Sequence, residues 1–169
     1  LSLSKGSERS LRRAYREVLT EGDHSGIAVL TNAGGPGVIA ADSLEQNGLS
    51  LAQLTDSTLK ALSAALPPSA AIHNPVDMLA SASPEIYATC LKILLQDPNV
   101  DAAMVILPPP PMFTAEDVAE KLIEVIRQFD KPVVIALLGS TLIEKAHSTF
   151  ERSNIPTCPF PERAASALS

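Results

Sequence analysis

The sequence has no tryptophan and only 4% aromatic residues, so a core must be built from Val, Ile, Leu and Ala. Aliphatic runs of that kind suit a parallel sheet buried on both faces. Only two cysteines are present, Cys90 and Cys158, too isolated for a disulfide framework or a zinc site, and reduced thiols are the expectation. The three histidines are scattered without an i, i+4 pair, so no metal site is expected. Basic residues number 13 against 19 acidic ones, a net charge of −6, which lacks the basic footprint of a nucleic-acid binder. No apolar run reaches the roughly 18–20 residues of a membrane span, and no signal peptide is visible. A cytoplasmic location is therefore expected.

What is present is 169 residues with 46% apolar and 19% charged content, enough for one domain with a real core. The chain opens on Leu1 rather than Met and is expected to be a piece of something longer. Residues 1–24 differ from the rest. They hold Arg9, Arg12, Arg13 and Arg16, and a short amphipathic helix near 8–20 is expected there, acting as a linker. A second unit is expected over residues 25–169. In it, "GIAVLTN", "LSLAQL", "VDAAMVILP", "KPVVIALLG" and "IPTCPF" read as strands, and helical segments lie between them. Thr55, Ser83 and Thr114 fit helix caps, and Pro84 fits a first helical position. Ile86, Cys90, Ile93 and Leu94 mark the expected inner face of the helix over 83–97. Strands alternating with helices across short connections give a three-layer α/β/α domain. The expected sheet is mostly parallel and five-stranded, in flavodoxin-like order.

The segment "TNAGGPGV" joins the first strand to the first helix. With Pro36 at the first helical position, the amides of Gly34, Gly35, Gly37 and Val38 could converge on an anion at the positive end of the helix dipole. No Lys-Ser or Lys-Thr follows, so this is not a Walker A loop, and the G-x-G-x-x-G spacing of a dinucleotide site is missing. A tight turn whose glycines serve only the turn remains an equal alternative on these residues alone.

"VLTNAGGPGVIAADSLEQNGL", "NPVDMLASA", "LLQDPNVDAAMVILPPPP", "KPVVIALLG" and "NIPTCPFPERA" together resemble the C-terminal flavodoxin-like domain of the NDP-forming acyl-CoA synthetases. These enzymes are relatives of succinyl-CoA synthetase. The resemblance implies a ligase that joins an acid to coenzyme A with ATP or GTP and Mg, through an acyl phosphate and a phosphohistidine. It implies an acetate–CoA ligase type as the parent. It also implies that CoA-binding, phosphohistidine and ATP-grasp domains are the partners, and that this domain holds no cofactor alone. Its first helix would face the phosphorylated histidine, with Asn32, Ala33, Gly34, Gly35, Gly37 and Val38 as the phosphate-facing loop. None of His24, His73 and His147 has the setting of the family's phosphohistidine, so no catalytic residue is expected in this chain and it should be inactive alone.

Asn74 and Asp77 form a rigid Asn-Pro-Val-Asp turn and either line the site or only make the turn. The prolines 108–111 remove backbone donors and suggest a rigid wall or a domain interface rather than a phosphate contact. Gly139-Ser140-Thr141 reads as a plain helix cap. Two other parents stay open at this point. One is the acetyl-CoA-sensing, synthetase-like region of a protein lysine acetyltransferase. The other is a free-standing flavodoxin-like binding module, although "NAGGPG" has no hydroxyls for FMN.

Overall fold

The computed structural model describes residues 26–139 and 141–169. The linker and helix expected within residues 1–24, His24 and the conformation of Ser140 lie outside them. The elements run β1 (Gly26–Thr31), α1 (Gly34–Gln46), β2 (Ser50–Leu51), α2 (Asp56–Ala65), β3 (Val76–Asp77), α3 (Pro84–Gln96), β4 (Ala102–Leu107), α4 (Ala115–Ile126), β5 (Val133–Leu137), a 3₁₀ turn (Thr141–Ile143), α5 (Glu144–Arg152), β6 (Thr157–Cys158) and α6 (Pro161–Leu168).

The ladder order is β2-β1-β4-β5-β6, with β3 added on β1, and every strand pair is parallel. With β3 set aside, the order is that of flavodoxin. Side chains of a strand alternate between faces, and each central strand therefore feeds two cores. Ala28, Leu30, Ala103, Val105, Ile135 and Leu137 pack with α2, α3, α4 and α5. Ile27, Val29, Met104, Ile106, Val134 and Ala136 pack with α1 and α6. The second face is closed by Ala40, Ala164, Ala165 and Ala167, whose small side chains let α1 and α6 lie close together. Each fully buried large aliphatic side chain contributes about 1.5–3 kcal/mol, so both layers hold the sheet. Among the described residues no helix is long and apolar enough to cross a membrane.

Local signals are realised at most ends. Thr55 accepts from the Thr58 amide and Ser83 from the Ile86 amide, with Pro84 opening α3. Thr114 and Asp117 form a reciprocal capping box on α4. Several expectations shift. The sheet has a sixth strand, because Val76 and Asp77 pair with Leu30 and Thr31 where a turn alone was expected. β2 is two residues long. The inner face of α3 is Tyr87, Cys90, Leu91, Leu94 and Leu95, while Ile86 and Ile93 are half-buried, because the face turns toward α4 as well as the sheet. α5 starts at Glu144 after the 3₁₀ turn, with Ile143 at its cap and no capping side chain, so Thr141 does not cap it.

Candidate anion site at the start of the first helix

α1 begins at Gly34, so Pro36 is its third residue rather than its first. Ala33 takes the cap position in an extended conformation, and no side chain accepts from the first turn. The Thr31 hydroxyl instead ties the loop to itself. Its Oγ1 accepts the Ala33 amide at 3.1 Å and donates to the Ala33 carbonyl at 3.0 Å. The Gly37 amide donates to the Ala33 carbonyl at 3.4 Å. The Ala33 and Gly37 amides are thus engaged within the chain. The helix-opening donors without an intrahelical partner are those of Gly34 and Gly35, both exposed.

The turn does not demand these glycines. Positive φ is confined to Gly48 and Gly139 among the described glycines, so Gly34, Gly35 and Gly37 adopt angles open to other residues. Gly37 is buried, and a β-carbon there would meet Thr31 Cγ2 at 3.2 Å and Pro75 Cβ at 3.6 Å. At Gly34 a β-carbon would lie 3.2 Å from Asp77 Oδ2. At Gly35 it would meet nothing within 4 Å. A glycine inside a helix costs roughly 0.5–1 kcal/mol against alanine, and at Gly35 nothing in this chain offsets that cost.

The dipole of α1 is also left unanswered by its own first turn. α2, α3, α4, α5 and α6 each carry an acidic residue there (Asp56, Glu85, Glu116 with Asp117, Glu144 and Glu162), and α1 carries none. Beside the loop, Asn32 is 4% exposed and its Oδ1 is buried with no hydrogen-bond partner. Such orphaned acceptors are rare in folded proteins. Val38, by contrast, is exposed on the first turns of α1, with Ile39 beside it.

The Asn-Pro-Val-Asp segment divides into two jobs. The Asn74 Oδ1 accepts the Val29 amide at 2.9 Å, and its Nδ2 donates to the carbonyls of Ile27 at 2.8 Å and Ala52 at 3.1 Å. That side chain fills the gap between β2 and β3 along the edge of β1 and does not reach the loop. Asp77 does reach it. Its Oδ1 accepts the Leu79 amide at 2.9 Å, holding Leu79 at φ 70°, while Oδ2 lies against Gly34. Tyr87 is buried nearby with an unpartnered hydroxyl, and burial, then the Asp77 charge, raises its pKa. Sequence reasoning passed over Tyr87, which reads as one more apolar position of α3.

His73 is exposed and His147 half-buried on α5, and Asp42 is exposed on α1. The proline segment 108–111 closes over the neighbouring strand end, where Pro109 Cγ would stand 3.1 Å from a β-carbon on Gly139.

The Ligase-CoA domain family matches residues 27–168. The chain belongs to that family. This Ligase-CoA domain is 41% identical over 162 residues to the alpha subunit of acetate–CoA ligase [ADP-forming] II from Pyrococcus furiosus, covering 94% of the chain and 35% of that subunit. It is 36% identical over 143 residues to acetate–CoA ligase [ADP-forming] I from Archaeoglobus fulgidus, covering 85% of the chain and 20% of that protein. Among solved structures it resembles PH0766 from Pyrococcus horikoshii OT3, with a TM-score of 0.84, 40% identity, and coverage of 99% of this chain and 39% of that one. It also resembles the dinucleotide-forming acetyl-coenzyme A synthetase 1 of Ca. Korarchaeum cryptofilum in complex with phosphate and ADP. That match has a TM-score of 0.81 and 28% identity, over 99% of this chain and 36% of that one. The chain therefore spans about a third or less of the curated relatives it matches.

Proposed function

We propose that this Ligase-CoA domain is one part of a larger ADP-forming acyl-CoA synthetase, in which the start of α1 stabilises a phosphohistidine carried by another domain. The observation that carries the reading is the exposed, uncapped start of α1 at the carboxyl edge of the sheet, where the fold gives no reason for Gly35. Ligands of doubly wound sheets bind at that edge.

The chemistry asked of the loop is modest and specific. A phosphohistidine carries close to two negative charges and needs donors that do not react. The Gly35 amide and the helix dipole supply them, each contact of this kind contributing on the order of 0.3–2 kcal/mol. They offer no nucleophile to take the phosphoryl group, and positioning with electrostatics is most of what phosphoryl transfer requires. Asp77 occupies the Gly34 side, so the phosphoryl group approaches from Gly35, where the space is open. In this reading coenzyme A, the nucleotide and its Mg ion are held by other domains. A lone carboxylate with Oδ1 already taken by Leu79 is a poor Mg site.

The test is acyl-CoA formation by the full-length synthetase with Gly35→Asp, which keeps space and fold but puts a carboxylate at the helix start. Turnover should fall by on the order of tenfold or more, the equivalent of about 1.4 kcal/mol. Turnover equal to the parent's would remove the role.

A further inference from the structure

The start of α1 suits an anion, yet the fold brings a carboxylate of its own to the same place. Asp77 Oδ2 stands 3.2 Å from where a β-carbon on Gly34 would lie, within the first turn over which a helix dipole acts. The placement is held from both sides. The Asp77 amide donates to the Ala71 carbonyl at 2.9 Å, and the Asp77 carbonyl accepts the Ala71 amide at 3.0 Å. Across β3, Asp77 pairs with Thr31, and the Met78 amide donates to the Thr31 carbonyl at 2.8 Å. Oδ1 accepts the Leu79 amide, which leaves Oδ2 as the oxygen turned to α1. Leu79 takes a φ of 70° there, an unfavourable conformation for so bulky a residue. Strain of this kind persists where the surrounding structure imposes it, and it gathers at functional sites. The acid is also left unpaired. Among the described residues the ion pairs are Lys121–Glu124 and Lys145–Glu116, and neither involves Asp77. The buried Tyr87 hydroxyl feels the Asp77 charge and does not donate to it. A site built only to hold an anion favours a lysine or arginine in such a place.

We infer that Asp77 is a positioning residue for phosphoryl transfer, whose carboxylate confines the phosphoryl group to the Gly35 side and keeps it loosely held, ready to be passed on. The inference rests on the phosphohistidine reading above and assigns a further residue to it. A group stabilised equally at rest and in the transition state is bound better but moved no faster. Asp77 acts unequally on the two. In transfer to ADP, an oxygen of the terminal phosphate forms the new P–O bond. The N–P bond breaks, and its electron pair returns to the imidazole. In the loose transition state of such a step, the phosphoryl oxygens carry less negative charge than they do on the histidine. A fixed carboxylate beside them therefore repels the resting phosphohistidine more than the transition state. The dipole of α1 draws the group in, and Asp77 keeps the hold from becoming a trap.

The test follows the phosphohistidine in the full-length synthetase carrying Asp77→Asn or Asp77→Ser. Both remove the charge, and both keep an oxygen able to accept the Leu79 amide. Enzyme labelled from radiolabelled ATP is freed of nucleotide, and the loss of acid-labile label is timed after ADP is added. Discharge should be at least about fivefold slower than in the parent, and more label should remain at a fixed ratio of ATP to ADP. The sign discriminates, because a merely structural role predicts a damaged loop and less label. Parental discharge, or less label, in variants with the parent's urea midpoint would overturn the inference. So would failure of both variants to fold, since the carboxylate would then serve the Leu79 turn alone. Lost label in Gly35→Asp with parental discharge in Asp77→Asn would sink the Asp77 role alone. Full label in Gly35→Asp with slowed discharge in Asp77→Asn would sink the Gly35 contact and leave the Asp77 effect standing.

Discussion

The Asn74 side-chain oxygen accepts the backbone N–H of Val29 at 2.9 Å, so a side chain forty-five residues away completes the edge of the first strand. The same amide donates to Ile27 and Ala52. Without it, the gap between β2 and β3 would leave Val29 N–H unpaired in the core. Asn74→Ala should cost about 2–4 kcal/mol, because buried groups left unsatisfied cost roughly 1–3 kcal/mol each. Asn74→Asp should cost at least as much, since a carboxylate would face two carbonyls. Urea unfolding midpoints measure both, and losses below about 0.5 kcal/mol would contradict this role.

Gly35 and Gly37 should respond in opposite directions. Gly35→Ala meets nothing and removes a helix glycine, so it should stabilise by roughly 0.5–1 kcal/mol. Gly37→Ala presses on the Thr31 methyl at 3.2 Å, with Pro75 at ordinary contact distance, and should destabilise by about 1 kcal/mol. Thermal unfolding of the two variants checks the contrast. A destabilising Gly35→Ala would return that glycine to the turn-making role.

At the far edge, burial pushes the Asp97 carboxyl up, but hydrogen bonds from Thr58, Thr55 and Asn99 outweigh it and leave the pKa lowered. The folded value thus lies below the unfolded value of about 3.9. Its contribution is present above that pH and is lost as pH falls through the folded value. Acid unfolding should therefore steepen below about pH 4. Asp97→Asn should cost on the order of 1–3 kcal/mol at neutral pH and much less in acid. An equal loss at both would count against the bonded carboxylate.

Burial alone pushes the Cys90 thiol up to about 12. A pKa raised on folding leaves stability intact below the free-thiol value near 8.5 and erodes it above. Cys90 should resist alkylation at about pH 8 in the native protein and react on unfolding. Peptide mapping after iodoacetamide treatment would read this, and rapid native labelling would contradict the buried placement.

The sheet order was readable because each strand is an aliphatic run bounded by caps and turns, and alternation with helices leaves few topologies. Thr55, Ser83 and Thr114 cap helices as their side chains suggest, since that chemistry is local. The job of Asn74 was hidden, because its partners on β1 lie far away in sequence and turn-forming asparagines look alike. β3 escaped for the same reason. Two residues beside a proline carry no period, and their pairing is set by the neighbouring strand. At the loop, Gly34 and Gly35 were visible as donors. That Ala33 and Gly37 spend their amides inside the chain follows from Thr31 and from the helix starting two residues early, neither of which the pattern encodes.

The central claim is that α1 receives a phosphoryl group at Gly35. The most direct measurement is acid-labile histidine labelling of the full-length synthetase from radiolabelled nucleotide, comparing Gly35→Asp with Gly35→Ala. The account predicts that the aspartate variant loses on the order of tenfold or more of the labelled histidine, while the alanine variant keeps most of it. Equal labelling of the two, at matched stability, would contradict it.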